Sequence, residues 1–541
     1  MVAASFGANA ALYNVYLEAP EGTSTSIQTY GVAISPETVV SAGNTCWDQA
    51  CSDTTSVMAT EVKRYREGYS YRDEAPFFLP FGWDYLDDNW DGFKRYCRDY
   101  LRYADTLCEN WANAQYSNGY QNEQNGNYAG SIGYLDADRN GTATSIKAEN
   151  TVVNSINITG ATVVPVGNAR NGATNRNIGF VDADSATYTI GDSDFLSSHV
   201  WASKTLATDA GSRTFTVGSV TRNNIDTGNA LTFTSKPTIW LDTAPTKTEV
   251  NWQGNRSENA TSKAQGSVKD IILDSSDNKK LYAVGYTSDG DVRLKAAVFK
   301  STDSGATWST GSLVGNFPYD SSEYANQTLQ AVNDNKIAIG TAKLNQALNG
   351  AYANMLFYVN NLDSPSYIPF SGGIFFTGAN GLAGSINNHN DVVGTIDYEQ
   401  HSETNGKPRA QRAFITNITA APGTVPGSGA PLGGQARYLD DLTNGIADNN
   451  QYRIIQAADI NDAGVIAATA YYCAGGFESD AIDAKCTAGA SLAGVKLVPI
   501  AGKTASDISP RPVTQTTVER QGGTLGILVL TLLGLLGFRR K

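Results

Sequence analysis

The sequence predicts a mainly β protein: a β-propeller-like repeat domain of about seven units, with a small helical insert and a hydrophobic C-terminal helix. Three observations carry this. A polar Asn/Asp/Gly turn followed by small apolar residues recurs four times between residues 270 and 470. Gly (53 residues) and Tyr (27 residues) are plentiful while only 17% of the chain is charged, a balance that favours turns and short strands over helices. The chain departs from that grammar only over residues 46–130 and at its end.

The recurring phrase appears as Asp277 to Gly285, Val332 to Gly340, Ile386 to Gly394 and Ile460 to Ala468. A turn and a strand returning at a near-constant spacing mark stacked sheets, because one such unit cannot bury its apolar face alone. The first three copies are followed by a second apolar phrase: Ala296 to Phe299, Asn354 to Tyr358 and Arg412 to Ile415. Ser198-His199-Val200-Trp201 reads as the same phrase in an earlier unit, and Asn229 to Thr234 as a weaker copy of the first. Ala421 to Gly434, rich in Pro and Gly, reads as a surface loop that lengthens the last interval. Repeat grammar over residues 11–515 therefore defines the main domain, with strands also expected at Ser131 to Tyr134 and Asn177 to Phe180.

At the start, Ala8-Asn9-Ala10 matches the small-residue pattern of a signal-peptidase site, so residues 1–10 read as a signal-peptide remnant. Val32, Ile34, Val39 and Val40 suggest paired strands about Ser35-Pro36-Glu37. The insert at 46–130 is crowded with aromatic and charged residues. Phe93, Tyr96, Cys97, Tyr100, Leu101 and Ala104 fall at helical spacing, and Thr106 to Glu109 reads as a capping box opening a second helix.

Six cysteines form three pairs close in sequence: Cys46 with Cys51, Cys97 with Cys108 and Cys473 with Cys486. No pair has CxxC spacing and none of the three histidines lies nearby, which favours local disulfides in an oxidising compartment over zinc. A straight helix would hold residues 97 and 108 about 16 Å apart, too far to bridge, so a bend at Asp105-Thr106 is expected. Crossed pairing among the first four remains open.

The net charge of −13 excludes an electrostatic grip on nucleic acid. Asp136-Ala137-Asp138-Arg139-Asn140-Gly141-Thr142 has the alternation that converges oxygens on calcium, with Asp136, Asp138, Asn140 and Thr142 as the ligands. Lys147 stands where an EF-hand needs Glu, leaving a calcium-bound turn or an ordinary Asp/Asn turn. Ser301-Thr302-Asp303-Ser304-Gly305-Ala306-Thr307-Trp308 resembles the Asp-box hairpin of sialidase-type propellers: Asp303 would accept backbone hydrogen bonds, Gly305 would take a positive φ and Trp308 would pack beneath. It marks a fold, not an active site. Asp84, Asp87, Asp88 and Asp91 beside Trp83, Tyr85 and Trp90 could equip a glycosidase or face solvent. No G-x-S-x-G, H-E-x-x-H or Walker loop is present.

Residues 521–541 begin at Gly522-Gly523, continue through an apolar run to Phe538 and end in Arg539-Arg540-Lys541. This layout resembles the GlyGly-CTERM sorting tail, which implies export, a transient inner-membrane anchor and processing near the glycines by a rhombosortase-type protease. The two-part repeat grammar resembles the HAF repeats of extracellular bacterial proteins. Taken with Ala11-Leu12-Tyr13, Tyr69 to Glu74 and the Tyr96-Cys97…Cys108-Glu109-Asn110-Trp111 insert, the chain resembles a family of secreted gammaproteobacterial proteins catalogued as domain of unknown function 3466. The resemblance implies a cell-surface or extracellular address and no particular chemistry. The expected role is binding or structural, as in adhesion or matrix contact with a glycan or other surface ligand. The alternative is a carbohydrate-active hydrolase using the insert's carboxylates.

Overall fold

The structure is a computed structural model that describes residues 11–36, 45–54, 56–67, 71–72, 88–135, 144–159, 162–172, 175–182, 188, 195–225, 231–242, 247–253, 264–289, 293–418 and 431–513. It is mainly β. The strands form successive antiparallel meanders of three or four strands, and in the eight-stranded sheet two consecutive meanders touch through one parallel pair, Leu294 with Asn326.

Among the described residues, seven strands open these meanders: Gln28–Ile34, Thr151–Thr159, Phe195–Thr208, Gly266–Asp274, Tyr324–Val332, Gly381–Ile386 and Tyr452–Ile460. Each lies against the opening strand of the next meander, and the last returns to the first, so the opening strands enclose a common centre. The N-terminal strand Tyr13–Glu18 does not join the meander that follows it. It pairs antiparallel with Ser491–Pro499, from Tyr13 opposite Pro499 to Glu18 opposite Gly494, and so completes the last sheet with the first described strand. Loss of that strand would leave an unpaired edge on the last sheet.

Apolar residues between adjacent sheets form the core. Leu12, Tyr13 and Val15 pack with Val393, Ile415, Ile454, Ile466 and Leu497, joining the chain's beginning to its last two meanders. Tyr282, Val298, Leu329, Phe357 and Val359 form a second cluster, and Phe215, Ile271, Leu281 and Phe299 a third. Because every sheet is covered on both faces, its strands read as runs of small apolar residues instead of clean alternation.

The recurring phrase is now assigned. Its polar part is the turn between the first and second strands of a meander, and its apolar part is the second strand, as in Ala338–Leu344 and Asp391–Asp397. The later apolar phrases at Ala296, Asn354 and Arg412 lie on third strands. Two readings need correction. Ser198 to Trp201 lies on an opening strand, and Leu231–Leu241 is a third strand, so the counterpart of Gly285 in that meander is Gly218. Long hairpins there displaced the period. Gln28–Ile34 pairs with Met58–Lys63, and Val39 and Val40 lie outside the described residues.

The helical insert is shorter than the expected 46–130: Met58–Lys63 is the second strand of the first meander, and the described helices lie between Asn89 and Gln124. Asn89–Tyr96 runs into a π-helical turn, Cys97–Leu101, and a second helix spans Asp105–Ala112. The chain reverses at Arg102, whose φ is +66°, and at extended Ala104, bringing the Cα atoms of Cys97 and Cys108 to 5.3 Å. The reversal precedes the expected bend, and no capping box forms: Ala104 is the N-cap and makes no side-chain cap bond. Phe93 is fully buried among Trp111, Tyr116 and Tyr120. All three disulfides are the local ones, and no described cysteine is free.

Candidate functional site

Where the opening strands converge they enclose a cavity of about 630 Å³. What lines it follows from a repeated backbone feature. Each opening strand skips one residue against its partner: Gly31 and Ala33 oppose Thr60 and Ala59, Val153 and Ser155 oppose Gly167 and Val166, Val268 and Asp270 oppose Gly285 and Val284. The same β-bulge recurs at Trp201, Gln330, Gly384 and Ala458. A bulge re-aims one side chain. The skipped residues Val32, Asn154, Trp201, Lys269, Gln330, Gly384 and Ala458 all line the cavity.

The bulge also explains the repeated glycine. A Cβ at Gly167, Gly218, Gly285, Gly340 or Gly394 would overlap the carbonyl oxygen of Val152, His199, Ser267, Thr328 or Leu382, which lies two residues before the skipped one. The phrase-closing glycine is therefore required by a carbonyl displaced toward the neighbouring strand.

The polar turns of three successive meanders line one side of the cavity mouth and tie neighbouring meanders together. Asn333 Nδ2 donates to the carbonyl of Asn387 at 2.8 Å, Asn387 Nδ2 to the carbonyl of Asn461 at 3.1 Å, and Asn461 Nδ2 to the carbonyl of Ser35 at 3.0 Å. Each of these asparagines also accepts, through Oδ1, a backbone N–H of its own turn: Ile337, Asp391 and Val465. Beside them, the Asn388 amide donates to both Asp334 (3.1 Å) and Asp462 (3.0 Å). In the meander before Asn333 the equivalent position is Asp274, whose carboxylate takes Lys336 at 2.8 Å. Burial pushes its pKa up, but the bonds from Lys336 and Ser276 outweigh that and hold it at about 2.

Deeper in the cavity, Asp270 accepts the N–H groups of Val332 and Ile271 and pairs with Lys204 at 2.6 Å. Asp459 accepts Ile34 N–H and Ile460 N–H, both at 2.9 Å. Burial raises the Asp459 pKa to about 6, against the pull of those bonds. Burial also raises Asp334, opposed by Lys204 and reinforced by Asp462 and Asp270. These carboxylates join strands to one another. Lys269 lies over the face of Trp201, which is 5% exposed and whose indole N–H has no hydrogen-bond partner among the described residues. Leu382, also in the lining, is 49% exposed.

The insert lies at the other end of the opening strands. Lys343, whose ammonium faces the Tyr100 ring, pairs with Asn326 near the start of strand Tyr324–Val332, whereas Asn333 follows that strand's end. On one side Ala104 donates to the carbonyl of Gly406 and Asn405 to that of Arg102. On the other, Glu123 takes Arg170 and Arg176, the latter also donating to the carbonyl of Glu67. The insert thus reaches from the meander opened by Thr151 to those opened by Tyr324 and Gly381, across the centre.

The sequence-predicted residues fall as follows. Asp303 accepts from Thr307 N–H at 2.9 Å and Ser301 Oγ at 2.8 Å, while Gly305 has φ +87° and Trp308 packs against the cluster containing Phe215 and Phe299. The Asp-box is a hairpin leading to the outer strand Ser312–Leu313, away from the cavity. Of the insert carboxylates, Asp88 pairs with Arg95 and Asp91 is exposed in the first helical turn. Asp84, Asp87, the calcium-type residues Asp136, Asp138, Asn140 and Thr142, and Gly522 and Gly523 lie outside the described residues. Among the described residues there is no cluster of three metal-ligating side chains and no helix long and apolar enough to cross a membrane. Sequence reading missed the bulge residues; nothing in Trp201 or Lys269 themselves marks them as cavity-facing.

No curated protein matches the chain. Solved structures resembling it include a protein of unknown function from Dyadobacter fermentans (10% identity, 90% of this chain and 98% of that one, TM-score 0.35). Others are the NanB sialidase of Streptococcus pneumoniae (9% identity, 91% and 70%, TM-score 0.31) and the Bacillus subtilis arabinanase Arb43A (10% identity, 55% and 96%, TM-score 0.22). At these scores the likenesses carry no argument. Residues 217–541 match the model of a family described as "Protein of unknown function (DUF3466)", and the chain belongs to that family.

Proposed function

We propose that the chain is a seven-unit β-propeller-like protein, exported and displayed on or released from a Gram-negative cell surface, that works by binding. Adhesion or matrix contact is the role the reading favours. The carrying observation is the central cavity: bulge residues line it, the Asn turns line one side of its mouth, and the insert crosses the opposite end. Asp270 and Asp459 each accept one N–H from the opening strand of the next meander, Val332 or Ile34, and one from the residue that follows them, so their carboxylates are engaged in holding strands together. Three disulfides suit an oxidising compartment, and Gly522-Gly523 with the apolar run and basic end supports a sorting tail. In this reading signal peptidase and a rhombosortase-type protease process the ends, and the tail holds the membrane until then. The test is retention of the purified full chain on extracellular matrix or cell surfaces of its native community. Retention without release of soluble sugar supports the proposal; sugar release would overturn it in favour of a hydrolase.

A further inference from the structure

We infer that the half of the cavity facing the insert takes the end of a neutral oligosaccharide. This names the ligand class of the binding role proposed above and rests on it. The opening strands divide the cavity into two halves. Asp270 and Asp459 follow the bulge residues Lys269 and Ala458, and Asp334 and Asp462 lie beyond the ends of their strands, so all four carboxylates belong to the turn side. On the insert side, the fifth, sixth and seventh meanders (opened by Tyr324, Gly381 and Tyr452) contribute Thr341, Leu382, Thr395 and Gln456, and none of their lining residues there is charged. Leu382 and Gln456 each stand two residues before a bulge residue, Gly384 or Ala458. Gly384 lies against the carbonyls of Ala457 and Ala458, which sets these two strands level. Thr395 is the cross-strand partner of Leu382 and Thr341 that of Thr328, while Gln330, the fifth meander's bulge residue, marks the boundary between the halves.

What this wall offers is hydrogen bonding without charge. The side chains of Gln330 and Gln456 make no hydrogen bond among the described residues, and each amide supplies an acceptor oxygen and a two-proton donor. A sugar hydroxyl also donates and accepts, and so matches them. On the strand between, Leu382 is 49% exposed and gives the C–H face of a sugar ring an apolar surface to rest on. The cations of the lining belong to other parts of the wheel and are occupied: Lys269 over the Trp201 ring, Arg72 by Glu61 and Asn154, Lys204 by Asp270. A charged chain would find no counter-charge on this wall, and an unpaired charge is costly to bury. The volume of about 630 Å³ falls within the ~300–1,000 Å³ of small-molecule sites. Asn387 and Asn461 line the same cavity on the turn side, so a polymer entering between the turns presents its end to this wall.

The experiment uses the purified full chain, its Leu382→Arg and Gln456→Leu variants, and four probe sets: neutral hexose oligosaccharides, oligouronates, oligoglucosamines and neutral Ser/Gly peptides. Affinity is read by calorimetry at low and high salt, and each probe is also tested as a competitor of matrix retention. A neutral oligosaccharide should compete, and its affinity should change less than about twofold between 0.05 and 0.5 M salt, since no net charge is screened. Gln456→Leu should weaken it about two- to tenfold for each hydrogen bond lost. Leu382→Arg, a change at an exposed position, should weaken it more than about tenfold with melting unchanged. Hydrogen exchange of the wild type with the oligosaccharide bound needs no variant: slowed exchange over residues 324–332, 381–386 and 452–460 supports the site, and protection confined to the turns overturns it. If only peptides or a charged oligomer compete, or affinity collapses with salt, the ligand class is wrong while the binding role stands. If both variants bind the oligosaccharide as the wild type does, the insert-side wall is not its site. If the wild type is retained by matrix but no probe competes, this inference alone falls; if it is not retained, the binding role falls with it.

Discussion

Asn387→Asp is the sharpest test of the ladder that joins the meanders. Asn387 is 4% exposed. Its Oδ1 accepts the N–H groups of His389 at 3.0 Å and Asp391 at 2.9 Å; its Nδ2 donates to the carbonyl of Asn461 at 3.1 Å and to the Asp391 carboxylate at 3.3 Å. The aspartate variant keeps both acceptor bonds. It replaces the donor by an oxygen that meets a carbonyl and a carboxylate. Two unit charges at that separation repel by about 5 kcal/mol at an effective dielectric of 20, so a loss of about 3–5 kcal/mol is expected at pH 7. The repulsion also raises the pKa of the introduced carboxyl above its unfolded value. The folded variant therefore holds that proton more tightly, its deficit is absent below about pH 4, and it grows as pH rises through the folded pKa. Asn387→Ala instead leaves two N–H groups unbonded and should lose about 2–4 kcal/mol with little pH dependence. Urea unfolding followed by circular dichroism between pH 4 and 8 separates the two. A pH-independent deficit in Asn387→Asp, or one under about 0.5 kcal/mol at pH 7, would refute the assigned donor and acceptor roles.

Other expectations follow from the same contacts. Gly340→Ala places a Cβ on the Thr328 carbonyl, so it should cost about 1–3 kcal/mol in urea unfolding by straining the bulge, whereas Gly475→Ala, with open space but a φ of +84°, should cost less than that. Replacing both Cys97 and Cys108 by Ser opens a loop with a sequence separation of 11, worth about 3 kcal/mol in the chain-entropy account. Hydrogen exchange should rise over residues 89–124 while the opening strands keep their protection. Lys336→Ala removes the partner that helps hold the Asp274 pKa near 2. A depressed carboxyl stabilises above its unfolded pKa and loses that contribution as pH falls through the folded one. The stability gap between wild type and variant should thus be full above about pH 4 and close toward pH 2, by about 1–2 kcal/mol.

Much of the fold was legible because the turns are chemically marked. Asn333, Asn387 and Asn461 repeat for one reason, that a side-chain amide must cap its own turn and reach the next, and left-handed residues follow at Lys336, Asn390 and Gly464. Spacing favoured the local cysteine pairs, and the structure closed the crossed alternative among the first four. What escaped was register. Meanders with long hairpins, such as Gly211–Ile225 paired to Leu231–Leu241, break the period and moved Trp201 to the wrong strand. The cavity lining escaped for a related reason. A bulge residue is selected by its place opposite a glycine, and its own identity varies from Lys to Trp to Gly. Strand closure by Tyr13–Glu18 was equally silent, since its partner lies at the far end of the chain.

Hydrogen exchange of the full chain, free and retained on matrix, tests the central claim most directly. The account predicts slowed exchange at the turn amides of Asp334, Asn388 and Asp462 and on the neighbouring opening strands, with the helices Asn89–Tyr96 and Asp105–Ala112 unchanged. Protection confined to those helices, with the asparagine turns exchanging as before, would contradict it.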